Sequence, residues 1–541
     1  MARMTGGQAL VQSILKNGIE VVFGLPGVQL DWAFDALYEA QDQIKVYHTR
    51  HEQATSYMAD GYARTTGRVG TCLVVPGPGL LNAMAGLSTA YATCSPVLCM
   101  SGQVQSDLIE VGRGVLHEIP NQLEMVRSVT KWSGRAMKPE EVPGIVTEAF
   151  RQLRTGRARP VEIEVPPDVL QAVGDVELLE AVTTARPGAD PDLIEQAAKV
   201  LGASQRPIIF VGGGIAAAEA MDELRELAEM LQAPVIMSSS GKGAISSRHY
   251  LGQNSIAGMD LLPKADVVFV VGTRFSQPAV ADWGPKNPQT VIQMDIDPDE
   301  IGRNYQPNIG IIADAKLGLT DLVNRVGAHN RKRESVEDEM TRLKETIEDK
   351  FFEVQPQAAF ATVIREELPD DGIAVAESTQ VGYWMHNAFP VYKPRTYLTS
   401  GYQGTLGYGF ATALGAQVGN PDKKVISVNG DGGFMFNVQE LSTMAMHHIN
   451  MVAIVFSDNA YGNVKRIQQQ TFNGRTIASN LHNPDFAKLA DLFGVVGMRA
   501  NSPDDLRTVL RSALKMDAPV LIEVPVGEMP SIWPIVRPER R

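Results

Sequence analysis

At 541 residues the chain exceeds what one hydrophobic core holds, and domains of about 100 to 200 residues predict three of them. Its apolar content of 44% and charged content of 21% are those of an ordinary globular protein, and a net charge of −13 excludes nucleic acid or an anionic membrane as a general partner. Cys72, Cys94 and Cys99 are odd in number and lack metal-ligand spacing, so they read as reduced core thiols of a cytoplasmic protein.

The N-terminal stretch through Gly18 reads as an amphipathic helix without a signal-type apolar core, and no apolar run is long enough to span a bilayer. The first third then alternates apolar strands with helices: Val21–Gly27, Ile44–His48, Thr71–Gly79 and Pro96–Val104. That alternation predicts an α/β parallel sheet over residues 1–170. Glu52 follows one such strand and opens a helix bearing Ala54, Met58, Ala59 and Tyr62. Taken alone, an acid in a first turn is most simply a partner of the helix dipole. A loop with Gly112 and Gly114 carries Leu116 and His117, and reads as mobile.

From about residue 186 to 328 the pattern restarts with a strand running into Gly212, Gly213 and Gly214, followed by three further apolar runs. A charge-rich, apolar-poor helix between His329 and Lys350 reads as a linker with a solvated face. The last segment, 350–541, repeats the strand-turn-helix theme. In it a strand over Val425–Val428 stops at Gly430, Asp431, Gly432 and Gly433, and a second over Met451–Phe456 stops at Asp458, Asn459, Ala460, Tyr461 and Gly462. Both polar clusters fall at carboxyl ends of strands, where open parallel sheets bind ligands. Asp431 and Asp458 are one crossover apart, so neighbouring strands would bring their carboxylates together, a donor set suited to magnesium. Gly432 and Gly433 let an anion approach the backbone amides, so a diphosphate bridged by magnesium would satisfy both halves. The plain alternative is a tight turn capped by an Asp.

The GDG cluster followed by N-x-Y-G one crossover later resembles the diphosphate motif of the thiamin diphosphate-dependent enzymes, and the likeness extends over nearly the whole chain. The resemblance implies three domains, each a mostly parallel sheet flanked by helices: a pyrimidine-binding, a central and a diphosphate-binding domain. It implies that Asp431, the Asp458 side chain and the Ala460 carbonyl hold magnesium, with Gly432, Gly433, Asn459, Tyr461 and Gly462 around the diphosphate. Asp458 stands where the family usually has Asn, which leaves Asn459 as a competing ligand. The segment RHEQATSYMADGYAR resembles the one carrying the activating glutamate, which implies that Glu52 hydrogen-bonds the aminopyrimidine ring of the cofactor. Pro76 and Asn82 are then expected along the cofactor cleft and Gln380 near the diphosphate, with the Gly404 carbonyl on the amino group and Leu406 as the wedge that bends the cofactor.

The motifs FGLPG, VVPGPGLLNAM and SPVLCMSGQV are similar to the acetohydroxyacid synthase branch, also called acetolactate synthase. Four places in the chain depart from it. Leu116-His117 replaces Phe-Gln, Pro167 replaces Lys, Ile467 replaces the Trp that selects the acceptor, and Arg274 to Pro278 differs from the FAD segment, so FAD is left open. His117 puts an imidazole where the branch places a group facing the reacting carbon. The expected function is decarboxylation of a 2-oxo acid with protonation or carboligation of the product. Two alternatives remain: a carbon-carbon lyase or hydrolase acting on a 2-hydroxy ketone, 1,2-dione or 2-hydroxyacyl-CoA, and an inactive cofactor-binding scaffold. The resemblance further implies a homodimer or homotetramer with active sites at the subunit interface.

Overall fold

The computed structural model describes residues 1–276, 284–285 and 289–537. Three six-stranded sheets organise it, as expected for an α/β chain. In the first, the order is Lys45–His48, Val21–Gly24, Gly70–Val74, Val97–Gly102, Val161–Val165 and Trp132–Arg135, every pair parallel. The strands are short apolar runs because helices cover both faces. Ile14, Val22, Leu98, Phe150 and Val161 are fully buried in the resulting core. Register sets Cys72 beside Cys99, and that contact together with burial pushes the Cys99 thiol well above its ordinary range.

The N-terminus differs from the expected single helix. Ala2–Thr5 is a strand paired antiparallel with Val173–Val176, and the helix begins only at Gly6. The cause is local: Thr5 and Gln8 form a reciprocal capping box that fixes the helix start there, leaving the preceding residues extended.

The second sheet runs Gly252–Asn254, Val235–Met237, Pro207–Val211, Val267–Val271, Thr290–Asp295 and Ile309–Ile312, again all parallel. In the third, Val425–Gly430 pairs in parallel with Val452–Ser457 so that Gly430 faces Phe456. That register brings Asp431 and Asp458 to adjacent strand ends together.

Packing divides the chain into two compact units: 1–184 with 400–499 and 512–524, and 185–399 with 500–511 and 525–541. Within the first unit, helix Glu52–Thr66 crosses helix Tyr408–Gly419 at backbone contact. A Cβ on Gly61 would lie 1.9 Å from the Thr412 carbonyl oxygen, and one on Gly415 1.9 Å from that of Met58. Only glycine permits that approach.

Within the second unit, the ammonium of half-buried Lys242 donates to the carbonyls of Met385 at 2.9 Å and Phe389 at 3.1 Å and lies 4.9 Å from the centre of the Tyr397 ring. Burial pushes its pKa down to about 7. The unfolded chain holds this proton up to about pH 10.4 and the folded chain only to about 7, so stability rises with pH across that window. The melting temperature of the wild type relative to Lys242→Met is therefore expected to climb between pH 7 and about 9.5. A difference that stays flat would mean that the two carbonyls and the ring keep the ammonium charged.

Candidate active site

The approach to Glu52 is fixed from a distant part of the chain. Glu440, fully buried, accepts the backbone N–H of Arg50 at 3.0 and 3.1 Å and that of His51 at 3.0 Å, while the Thr443 hydroxyl donates to it at 2.6 Å. His51 caps the helix by accepting the Gln53 N–H, and Glu52 is the first helical residue. Its Oε2 accepts from the Asn82 amide at 3.0 Å. Glu52 and Asn82, singled out separately in the sequence, are thus brought together.

Pro76 is buried at the end of strand Gly70–Val74, and helix Pro78–Thr93 carries Asn82. Between them Gly77 adopts φ 58°, and a Cβ there would lie 2.3 Å from the His117 carbonyl oxygen. His117 and Glu52 therefore flank the same turn, since a Cβ on Gly79 would lie 3.6 Å from the Glu52 Cγ. His117 itself has φ 67°, and its Nδ1 lies 3.0 Å from Gln29 Oε1. The loop before it is laced by Glu118, which accepts the N–H groups of Gly112, Gly114 and Val115 at 2.9, 2.6 and 3.0 Å. Those bonds, that of Val115 foremost, hold the Glu118 carboxyl below its usual range.

At the strand ends of the third sheet, Asp431 is buried and accepts the N–H of Gly432 at 2.8 Å, the N–H of Asn459 at 2.7 Å and the Asn483 amide at 2.7 Å. Burial raises its carboxyl. Asp458 accepts the Ala460 N–H at 3.1 Å, and burial together with the charge of Asp431 pushes it up to about 6. Two carboxylates are held together there at a cost that a cation would remove. Asn459 sits in the left-handed region, φ 55°, and its side-chain oxygen accepts from Asn483 at 3.1 Å. Ala460 bridges Asn480, Tyr461 donates its N–H to the Ser479 carbonyl, and Gly462 starts helix Gly462–Thr471. Gly432 and Gly433 are buried in the short helix Asp431–Phe434, and the Tyr461 ring packs against Gly432. Among the described residues there is no cluster of three His, Cys, Asp or Glu side chains able to hold a metal.

Gly404 is exposed with φ 62°, ending the turn Gly401–Gln403, and Leu406 is half-buried before Gly407. The Thr405 hydroxyl meets that of Thr89 at 2.7 Å, tying this turn to the helix that bears Asn82. Gln380 belongs to the second unit, as the first residue of helix Gln380–Ala388. In the same unit, the Phe275 ring packs between Phe210 and Tyr305, while Gln277 and Pro278 lie outside the described residues. Sequence reasoning missed Glu440, Asn483 and Gln29, each of which works through a partner distant in the chain.

Three family models match in the order of the three sheets: the N-terminal TPP binding domain of the thiamine pyrophosphate enzymes over residues 4–125, their central domain over 194–322 and their C-terminal TPP binding domain over 377–524. The chain belongs to the thiamine pyrophosphate enzyme family. Its relatives include a probable acetolactate synthase large subunit from Methanocaldococcus jannaschii, 34% identical over 98% of this chain and 94% of that protein. The acetolactate synthase large subunit of Corynebacterium glutamicum is 32% identical over 99% and 88%, and the isozyme 2 large subunit of Escherichia coli K12 is 30% identical over 99% and 98%. This thiamine pyrophosphate enzyme is thus acetolactate synthase-like along its length. No helix among the described residues is long and apolar enough to cross a membrane.

Proposed function

We propose that the enzyme binds thiamin diphosphate through magnesium at Asp431, Asp458 and the Ala460 carbonyl, and decarboxylates a 2-oxo acid, then protonates or carboligates the product. The observation that carries this reading is the pair of carboxylates at adjacent strand ends, with Asp458 pushed up to about 6 by burial and by its neighbour. An all-oxygen donor set of this kind suits a hard divalent cation that also takes phosphate oxygens. Asp458 is favoured over Asn459 as ligand because its carboxylate, buried beside the charge of Asp431, is the group a cation would relieve.

Thiamin diphosphate held here would supply a nucleophilic carbon for a substrate carbonyl and a cationic ring able to take up the electron pair released on loss of carbon dioxide. The chain's own residues position and protect. Glu52, oriented by Asn82 and by the backbone that Glu440 pins, holds a proton at the edge of the pyrimidine. Gly404 would offer a carbonyl to its amino group, Leu406 would pack against the bound cofactor, and Gly432, Gly433, Asn459, Tyr461 and Gly462 would hold its diphosphate. Pro76 and Asn82 line the cleft, and His117 serves as an acid–base group at the reacting carbon. The domains are 1–170, 186–328 and 350–541.

A homodimer or homotetramer with the site at the subunit interface fits the apolar side chains exposed beside these segments: Leu81, Leu116, Tyr402, Phe436 and Val464.

Product analysis on a panel of 2-oxo acids tests the reading. Pyruvate or a larger 2-oxo acid is expected to yield carbon dioxide with an aldehyde or a 2-hydroxy ketone product. No decarboxylation across the panel, with cleavage of a 2-hydroxy ketone, 1,2-dione or 2-hydroxyacyl-CoA instead, would establish the lyase or hydrolase alternative. His117 and the half-exposed Ile467 on helix Gly462–Thr471 favour that second reading. As a further arm, Ile467→Trp is expected to shift the preferred acceptor with little effect on melting temperature; an identical product spectrum would count against a place for Ile467 in the pocket.

A further inference from the structure

Gln29 lies on the turn Val28–Leu30, almost fully buried, in a part of the first unit to which no role has been given. Its side chain makes two contacts to the His117 loop. The amide nitrogen donates to the Leu116 carbonyl at 3.1 Å, and the amide oxygen lies 3.0 Å from His117 Nδ1. The two contacts are chemically coupled. A backbone carbonyl can only accept, so the nitrogen of the amide must face Leu116. That leaves the oxygen, which also only accepts, facing the imidazole, and Nδ1 must carry the hydrogen. A neutral ring with its proton on Nδ1 has its lone pair on Nε2.

We infer that Gln29 is a positioning residue that fixes His117 in the Nδ1–H tautomer and so makes Nε2 the ring's proton acceptor. The two contacts also hold a residue whose backbone is left-handed, φ 67°, at a loop that backs directly onto Gly77. The ring is therefore fixed both in place and in protonation pattern beside the turn that Glu52 flanks. Gln29 does not touch the reacting atoms and acts only through His117. The inference rests on the proposed acid–base role of His117.

The test is nitrogen NMR of the holoenzyme labelled with ring-¹⁵N histidine, with the His117→Gln spectrum subtracted to assign this ring among the nine histidines. The wild type at a pH where the ring is neutral is expected to show a protonated Nδ1 and a bare Nε2. Gln29→Leu removes the acceptor and is expected to move the ring toward the Nε2–H form. Turnover then falls about a hundred-fold, the lower end of what a positioned acid–base group contributes, with KM little changed. Gln29→Glu, whose carboxylate accepts from Nδ1, restores the tautomer and recovers part of the rate. A wild-type ring protonated on Nε2, or a tautomer unchanged in Gln29→Leu, overturns the inference. Full turnover by His117→Gln instead overturns the acid–base role on which it rests, whatever the tautomer.

Discussion

Replacing Glu52 by Gln is expected to leave thiamin diphosphate binding near normal while slowing both turnover and proton exchange at carbon 2 of the bound cofactor by about 10²- to 10⁴-fold. Glutamine keeps the size of the side chain, and its amide oxygen can still accept from Asn82, which in the wild type donates to Oε2 at 3.0 Å. What it cannot do is share a proton with the pyrimidine ring. The helix start should survive, because it is capped by His51 and its approach is held by Glu440 rather than by Glu52 itself. Deuterium exchange at carbon 2, measured in the two proteins at equal cofactor saturation, separates the possibilities. Equal exchange rates would reduce Glu52 to a carboxylate at the positive end of a helix.

Asp431→Ala is expected to weaken thiamin diphosphate binding in magnesium buffer by at least about a hundred-fold, or ~2.8 kcal/mol. Two effects combine. The cation that would bridge to the diphosphate loses one of its two carboxylates, and the N–H of Asn459 and the amide of Asn483 lose their shared acceptor. The second effect alone costs about 1 kcal/mol of stability for each of these partly exposed hydrogen bonds. Asp431→Asn separates the two, since it keeps an acceptor and removes the charge. Titration calorimetry that finds the alanine variant binding as tightly as the wild type would remove Asp431 from the metal site.

Much of this site could be read from the chain alone because its chemistry sits where strands end. An apolar run that stops on Gly-Asp-Gly, and another that stops on Asp-Asn-Ala-Tyr-Gly, announce polar groups at a sheet edge, and parallel pairing with Gly430 opposite Phe456 does the rest. Glu52, a carboxylate between a strand and a helix, read by itself only as a partner of the helix dipole, and it was the resemblance of the segment around it that singled it out. The residues that hold these groups were not legible. Glu440 lies within a stretch whose helical spacing reads as packing, and nothing local marks it as the acceptor for Arg50 and His51, 390 positions away. Asn483 lies in an irregular segment, and Gln29 on a single turn; each takes its meaning from a partner that periodicity cannot reach. The loop around Gly112 and Gly114 read as mobile because its glycines were visible and the carboxylate of Glu118 that gathers their N–H groups was not recognised.

The contact of helix Glu52–Thr66 with helix Tyr408–Gly419 also sets a clock on how this protein is made. The second helix leaves the ribosome about 340 residues after the first, a wait of roughly 20 to 70 seconds at ordinary synthesis rates of about 5 to 20 residues per second. Throughout that interval the groove around Gly61 has no backbone to close it. The segment that bears Glu52 is thus born waiting, and a nascent chain released before the residue-400 region appears would expose an apolar face that chaperones bind and that aggregates feed on.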